Sequence, residues 1–238
     1  MPISLPKVET PTYKLKIPST NEVVEYRPYL VSEEKVLMIA LESSDNEQIL
    51  TAVKKIVKSC TFDKVDLESI SSFDLEYIFI KLRSKSVGEI VNLVGKCQHC
   101  QAKNNIELNL EEVEVVWPEK KVSEKIMITD KIGVIMKYPK VSDAMINVDG
   151  KLSEIDEGFH LISKCIKNIF DDDNVYPIED YKTEEVLEFI ESLNHKQLEK
   201  ITTFLESIPE VKGKIKFKCI SCGKDNEREV SGIQNFFT

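Results

Sequence analysis

Two short stretches of this chain hold the residue types best suited to binding a metal ion. They are Cys97-Gln98-His99-Cys100 and Cys219-Ile220-Ser221-Cys222, the first preceded by Gly95-Lys96 and the second followed by Gly223. A two-residue gap lets one tight turn present two thiolates to a single ion, and two such turns complete the tetrahedral four-sulfur site that zinc adopts in structural roles. The expected ligands are Cys97, Cys100, Cys219 and Cys222, holding one structural zinc per chain. Four sulfurs leave no open position for substrate. Lys96, Lys218 and Lys224 are close enough in sequence to offset part of the negative charge of such a site. His99 could replace a thiolate, but an exposed knuckle residue is the simpler reading. The separation is unusual, because 118 residues lie between the pairs.

Disulfide or redox use is the competing chemistry. Met1–Lys7 shows no charged-then-apolar signal region and no apolar run approaches the ~18 residues that span a bilayer, so the expectation is a soluble, intracellular chain of cytoplasmic origin. In that compartment thiols stay reduced and paired cysteines serve metals. A thioredoxin-like pair would open a helix, where the dipole lowers the thiol pKa, whereas these pairs sit between strand patterns. Cys60 and Cys165 fall on apolar helical faces and are expected to be small buried hydrophobes.

No catalytic constellation accompanies the cysteines. His160 and His195 lie on separate helical segments without a paired nucleophile. There is no glycine-rich phosphate loop, nucleophile elbow or His-Glu-x-x-His motif. Asp171-Asp172-Asp173-Asn174 lacks the alternating ligands, glycine and closing glutamate of an EF-hand loop and is expected to be a solvated helix end. The formal charge of −9 argues against non-specific nucleic-acid binding, where phosphate attraction dominates. The expectation is therefore a non-enzymatic protein with no nucleic-acid partner.

The elements that must position the cysteines form an α+β pattern. Residues 1–90 read as a β-hairpin (Tyr13–Ile17 and Val23–Arg27 around Pro18–Asn21) followed by three helices. These helices run from Glu33 to Leu41, from a Ser44/Glu47 capping box to Cys60, and from Ser71 or Ser72 to about Ser86. Residues 91–140 hold the first knuckle and several short strands. Residues 141–213 read as helical: Phe159, Ile162, Ile166 and Ile169 line one face, a short helix spans Val186–Leu193, and a last one is capped by Asn194 with Gln197 and stopped by Pro209 and Gly213. Residues 214–238 carry the second knuckle. The strand-knuckle-strand plan thus occurs twice and closes one zinc ribbon.

Several ordered stretches resemble a known family. Tyr26–Lys35, Ser59–Thr61, Ser72–Phe79 and Leu82–Glu89, with Lys137-Tyr138-Pro139 more loosely, are similar to the baseplate hub subunit family of T-even-type contractile-tailed bacteriophages. The resemblance spans about residues 11 to 100. It implies a late phage protein that builds the central hub of the tail baseplate, either kept in the virion or acting as an assembly factor in the host cytoplasm. Its partners would be other baseplate hub and tail proteins, and it implies no catalytic residues. By pattern alone Phe73, Leu75, Ile78 and Phe79 are core, and Arg27, Arg83 and Lys85 are either protein-facing or held in intramolecular ion pairs. A zinc-ribbon adaptor for nucleic acid or transcription machinery is the alternative function, and a redox enzyme using one cysteine pair is a further one.

Overall fold

The computed structural model describes residues 8–43, 45–119, 122–145, 153–232 and residue 236. In chain order the elements begin with β1 (Tyr13–Lys16), β2 (Val23–Tyr26), α1 (Val31–Ser43), α2 (Asn46–Cys60) and α3 (Ser72–Ser86). Short strands follow: β3 (Ile90–Lys96), β4 (Lys103–Asn109), β5 (Glu114–Val116), β6 (Lys125–Met127) and β7 (Gly133–Met136). Then come α4 (Glu154–Cys165), β8 (Ile166–Phe170), β9 (Val175–Pro177), α5 (Thr183–Glu191), α6 (His195–Leu205), β10 (Glu210–Lys218) and β11 (Asp225–Ser231). The chain is thus mixed α and β with several small sheets. It divides into two compact units, one built from 1–67, 73–115 and 211–238, the other from 68–72 and 116–210. The long gap between the cysteine pairs has its origin here: most of it is the second unit, inserted into the chain of the first.

In the first unit, β1 and β2 pair antiparallel, with Leu15 opposite Val24. Alternation buries Leu15, Ile17, Val24 and Tyr26 on one side. Asp45 caps α2, its carboxylate accepting from the Glu47 and Gln48 N–H groups. The expected cap, Ser44, lies outside the described residues, as does Met1–Lys7; the Asp45 side chain satisfies the first-turn donors. Helical spacing then buries Ile49, Val53, Ile56, Val57 and Cys60. α3 buries Phe73, Leu75, Ile78, Phe79 and Leu82, together with the polar Asp74, Lys81 and Ser84, the last donating its hydroxyl to the Glu111 carboxylate. Asp74 accepts from the backbone and hydroxyl of Ser19, fastening the hairpin turn, and Lys81 Nζ donates to the carbonyls of Leu110 and Glu111 at 3.1 and 2.8 Å. All three have the partners that buried polar atoms require.

The second unit combines α4, α5 and α6 with a four-stranded sheet in the order β6-β7-β8-β9, all neighbours antiparallel. Its core gathers Val134, Met136, Ile162, Cys165, Ile166, Val186, Ile190, Ile201 and Phe204. Asn194 and Gln197 form the expected capping box on α6. Lys200 Nζ ties that helix to the Met127 and Ile128 carbonyls.

Three expectations fail, for definable reasons. Ile166 and Ile169 do not continue the helix; α4 stops at Cys165 and the next five residues are β8. Asn168 pairs with Ile135 and Ile166 with Met136, so Lys167 is passed over at a β-bulge. An extra residue in a strand turns two side chains three positions apart toward the same face, which imitates a helical period. Asp171–Asn174 is consequently the turn joining β8 to β9, not a helix end. The Asp171 carboxylate accepts from the Asp173 and Asn174 N–H groups and from the Tyr176 hydroxyl. Gly213 likewise stops no helix. It sits inside β10, where a Cβ would lie 2.9 Å from Leu108 Cδ1 and 3.3 Å from Val113 Cγ2.

Candidate metal centre

β3 and β4 form one hairpin and β10 and β11 another, and each carries a cysteine pair at its tip. The two tips meet within the first unit. Cys97 Sγ is 3.7 Å from Cys222 Sγ, and Cys100 Sγ is 3.6 Å from Cys219 Sγ. All four sulfurs fall within 4.8 Å of one another, close enough to bind a metal ion. Disulfide sulfurs would be about 2.05 Å apart, whereas thiolates ~2.3 Å from one tetrahedral ion lie about 3.8 Å from each other. The spacing fits a metal and not a disulfide. His99 is not in the set: its side chain is exposed and its backbone N–H points to Cys97 Sγ at 3.4 Å.

The two tips are built alike, atom for atom along the backbone. Cys97 N–H donates to the Ala102 carbonyl and Gln101 N–H to the Cys97 carbonyl; Cys219 to Lys224 and Gly223 to Cys219 repeat the pattern. The residue one past each second cysteine turns through positive φ, 61° at Gln101 and 69° at Gly223. Glycine takes that conformation without strain. This turn aims backbone N–H groups at the leading sulfur of each pair. Desolvation pushes the Cys97 thiol up, but the Cys100 and His99 N–H groups and the neighbouring sulfurs bring it down to about 6. Cys219 is lowered chiefly by the Cys222 N–H. At Cys100 the Ala102 N–H lowers the thiol, and desolvation with the three neighbouring sulfurs overrides it, to about 12. Four crowded thiols cannot all ionise alone; a divalent cation among them removes that obstacle.

Two residues missed by the sequence reading lock the tips together. Asn104 Oδ1 accepts from the Ile220 N–H and Asn226 Oδ1 from the Gln98 N–H, each bond 2.9 Å and each crossing to the other hairpin. Their amide nitrogens donate to the Ala102 and Lys224 carbonyls of their own tips at 2.8 and 2.9 Å. Both side chains are buried. The signal was present: Lys96–Asn104 and Lys218–Asn226 share the pattern Lys-Cys-x-x-Cys-x-x-x-Asn. The remaining cysteines stand apart, fully buried, with thiols pushed up to about 12 by burial.

A family model described as "T4 bacteriophage base plate protein" matches residues 10–238, taking in both cysteine pairs. The chain belongs to this family. The chain is also 24% identical over 226 residues to the baseplate hub assembly protein gp26 of Enterobacteria phage T4, covering 94% of this chain and 97% of the relative. No solved structure matches. The match extends well beyond the stretch of about 11 to 100 in which the resemblance was legible.

Inside the fold, the family stretches meet one another. Arg27 reaches both Glu33 carboxylate oxygens, at 2.8 and 2.9 Å, and the Ser59 hydroxyl at 2.8 Å, while Ser59 donates to Glu33 Oε1. Leu30 N–H completes the cluster on Glu33 Oε2. Lys85 is paired with Glu89 and Glu111. For Arg27 and Lys85 the intramolecular reading holds. No helix among the described residues is long and apolar enough to cross a membrane.

Proposed function

We propose that this chain is a non-enzymatic structural or assembly protein of a contractile phage tail baseplate hub, acting through protein–protein contacts. The observation that carries the reading is the family match over nearly the whole chain, supported by near-complete mutual coverage with a protein named for baseplate hub assembly. Its partners are other hub and tail proteins, and it acts in the host cytoplasm during assembly or in the finished tail.

The four cysteines bind one zinc ion that closes a ribbon from the two hairpins. The sulfur spacing and the N–H groups directed at Cys97 and Cys219 support a thiolate site, and its tetrahedral four-sulfur chemistry favours zinc. Zinc here supplies a crosslink. Cys97 and Cys100 hold it from one hairpin and Cys219 and Cys222 from the other, while Asn104 and Asn226 fix the register between them.

Quantitative mass spectrometry of purified tails and of assembly intermediates from infected cells tests the role. The chain should be present with hub components in the intermediates at least. Its absence from both fractions, in cells that express it, would contradict the assembly role.

A further inference from the structure

Acidity in this chain is concentrated in one place. The segment 171–191 holds nine carboxylates against a single lysine; from totals of 41 and 32, this leaves 32 acidic and 31 basic residues in the rest of the chain. Among the described residues none of those nine carboxylates is in an ion pair. The same segment walls a cleft of about 430 Å³ in the second unit, between β8, β9 and α5. Its floor is apolar, including Ile169, Phe170 and Phe189, with Tyr176 and Tyr181 meeting edge to face at 6.5 Å. Asp171 and Glu185 stand in its lining. Tyr181 and Ile132 are 42% and 37% exposed, so this apolar surface is open to a visitor.

These two features together specify an occupant. Apolar walls favour burial of a hydrophobic side chain, and a field from eight net negative charges favours flanking cations and speeds their approach. Aromatic rings add attraction for a guanidinium or ammonium group; within this unit Lys125 Nζ already lies 4.7 Å from the centre of the Phe170 ring. We propose that the cleft of the second unit is the docking site for a basic segment of a partner protein, one that inserts an apolar side chain between Tyr181 and Phe189 while flanking arginines or lysines meet the acidic rim. This deepens the reading of the chain as an assembly protein and rests on it for the partner's being a protein.

The test uses the full chain and three short amidated peptides: two arginines flanking a leucine–phenylalanine pair, the same with glutamates for arginines, and the same with serines for the apolar pair. Binding is read by NMR titration in which the Tyr176, Tyr181 and Phe189 resonances are followed. The basic apolar peptide should bind at least about tenfold more tightly than either control, and more weakly as salt rises from about 0.05 to 0.3 M. Tyr181→Ser should weaken it about tenfold and Tyr181→Phe little, with far-UV circular dichroism unchanged in both. Equal binding of the three peptides, no shift in those resonances, or indifference to Tyr181→Ser would overturn the site. So would concentration-dependent self-association abolished by Tyr181→Ser, which would make a second copy the occupant. The outcomes separate the two readings: wild-type chain missing from tail intermediates defeats the baseplate role, whereas Tyr181→Ser chain recovered there at wild-type levels defeats only the cleft.

Discussion

Glu33 joins two of the family stretches of the first unit, Tyr26–Lys35 and Ser59–Thr61. Burial alone would raise its pKa, but the Arg27 guanidinium, the Ser59 hydroxyl and the Leu30 N–H hold it down at about 2. A carboxylate held below its unfolded value contributes stability that is fully present above about pH 4.5 and is lost as the pH falls toward 2. Discounted for partial exposure, Glu33→Gln should cost on the order of 1–2 kcal/mol at neutral pH. In urea titrations across pH, the gap between variant and wild type should be constant above pH ~5 and close between about 4.5 and 2. A gap that widens on acidification would contradict this pairing. Asn104 and Asn226 matter at the same scale, since each bridges the hairpins through a buried side chain. Asn104→Ala or Asn226→Ala should leave the ligands intact yet weaken metal affinity by roughly 10- to 100-fold, as loss of an outer hydrogen bond does elsewhere. Competition with a chromophoric chelator measures that change. Cys60→Ser and Cys165→Ser, by contrast, should leave metal content unchanged, because both thiols are buried and neither belongs to the sulfur cluster.

At the scale of elements, the sequence was most legible where one period ran without interruption. The β1–β2 hairpin, the stripe of α2, the face of α3 and the box opening α6 all follow patterns that a local reading can see. It failed at β8, where the bulge at Lys167 gave a strand the spacing of a helix, and only pairing with β7 distinguishes the two. It failed again at Gly213, a residue that ends helices in isolation but here makes room for Leu108 and Val113 against β10. That role has a measurable consequence. Gly213→Ala forces the Leu108 side chain to move and should destabilise the first unit by about 1–3 kcal/mol, with a matching fall in the urea midpoint. A neutral or stabilising effect would mean that β10 tolerates a Cβ there. In the candidate site the clustering of the four cysteines was legible from type and spacing, and the two asparagines were not. Their side chains act across a junction between segments 122 residues apart, which no local window contains.

On the scale of the molecule, the metal and the chain path bear on one another. The first unit is assembled from three separate segments, and the last of them returns only after the second unit has been completed. An ion gripping Cys97 and Cys100 with Cys219 and Cys222, as proposed, would fix that return. For a covalent crosslink over so long a loop, chain entropy alone gives on the order of 4–5 kcal/mol, comparable with the whole stability of many domains. Removing the metal should therefore loosen the hairpin β10–β11 from β3–β4, while the helices of the second unit, whose core holds no ligand, keep their structure. Hydrogen exchange with and without chelator should show protection lost around Cys97 and Cys222 and kept in α4 to α6. The most direct test of the shared site is the metal content of purified chain by elemental analysis, in wild type and in Cys97→Ser and Cys219→Ser. One zinc per chain in the wild type and none in either variant is the expected result; two ions per chain, no ion in the wild type, or full retention in a single variant would contradict it.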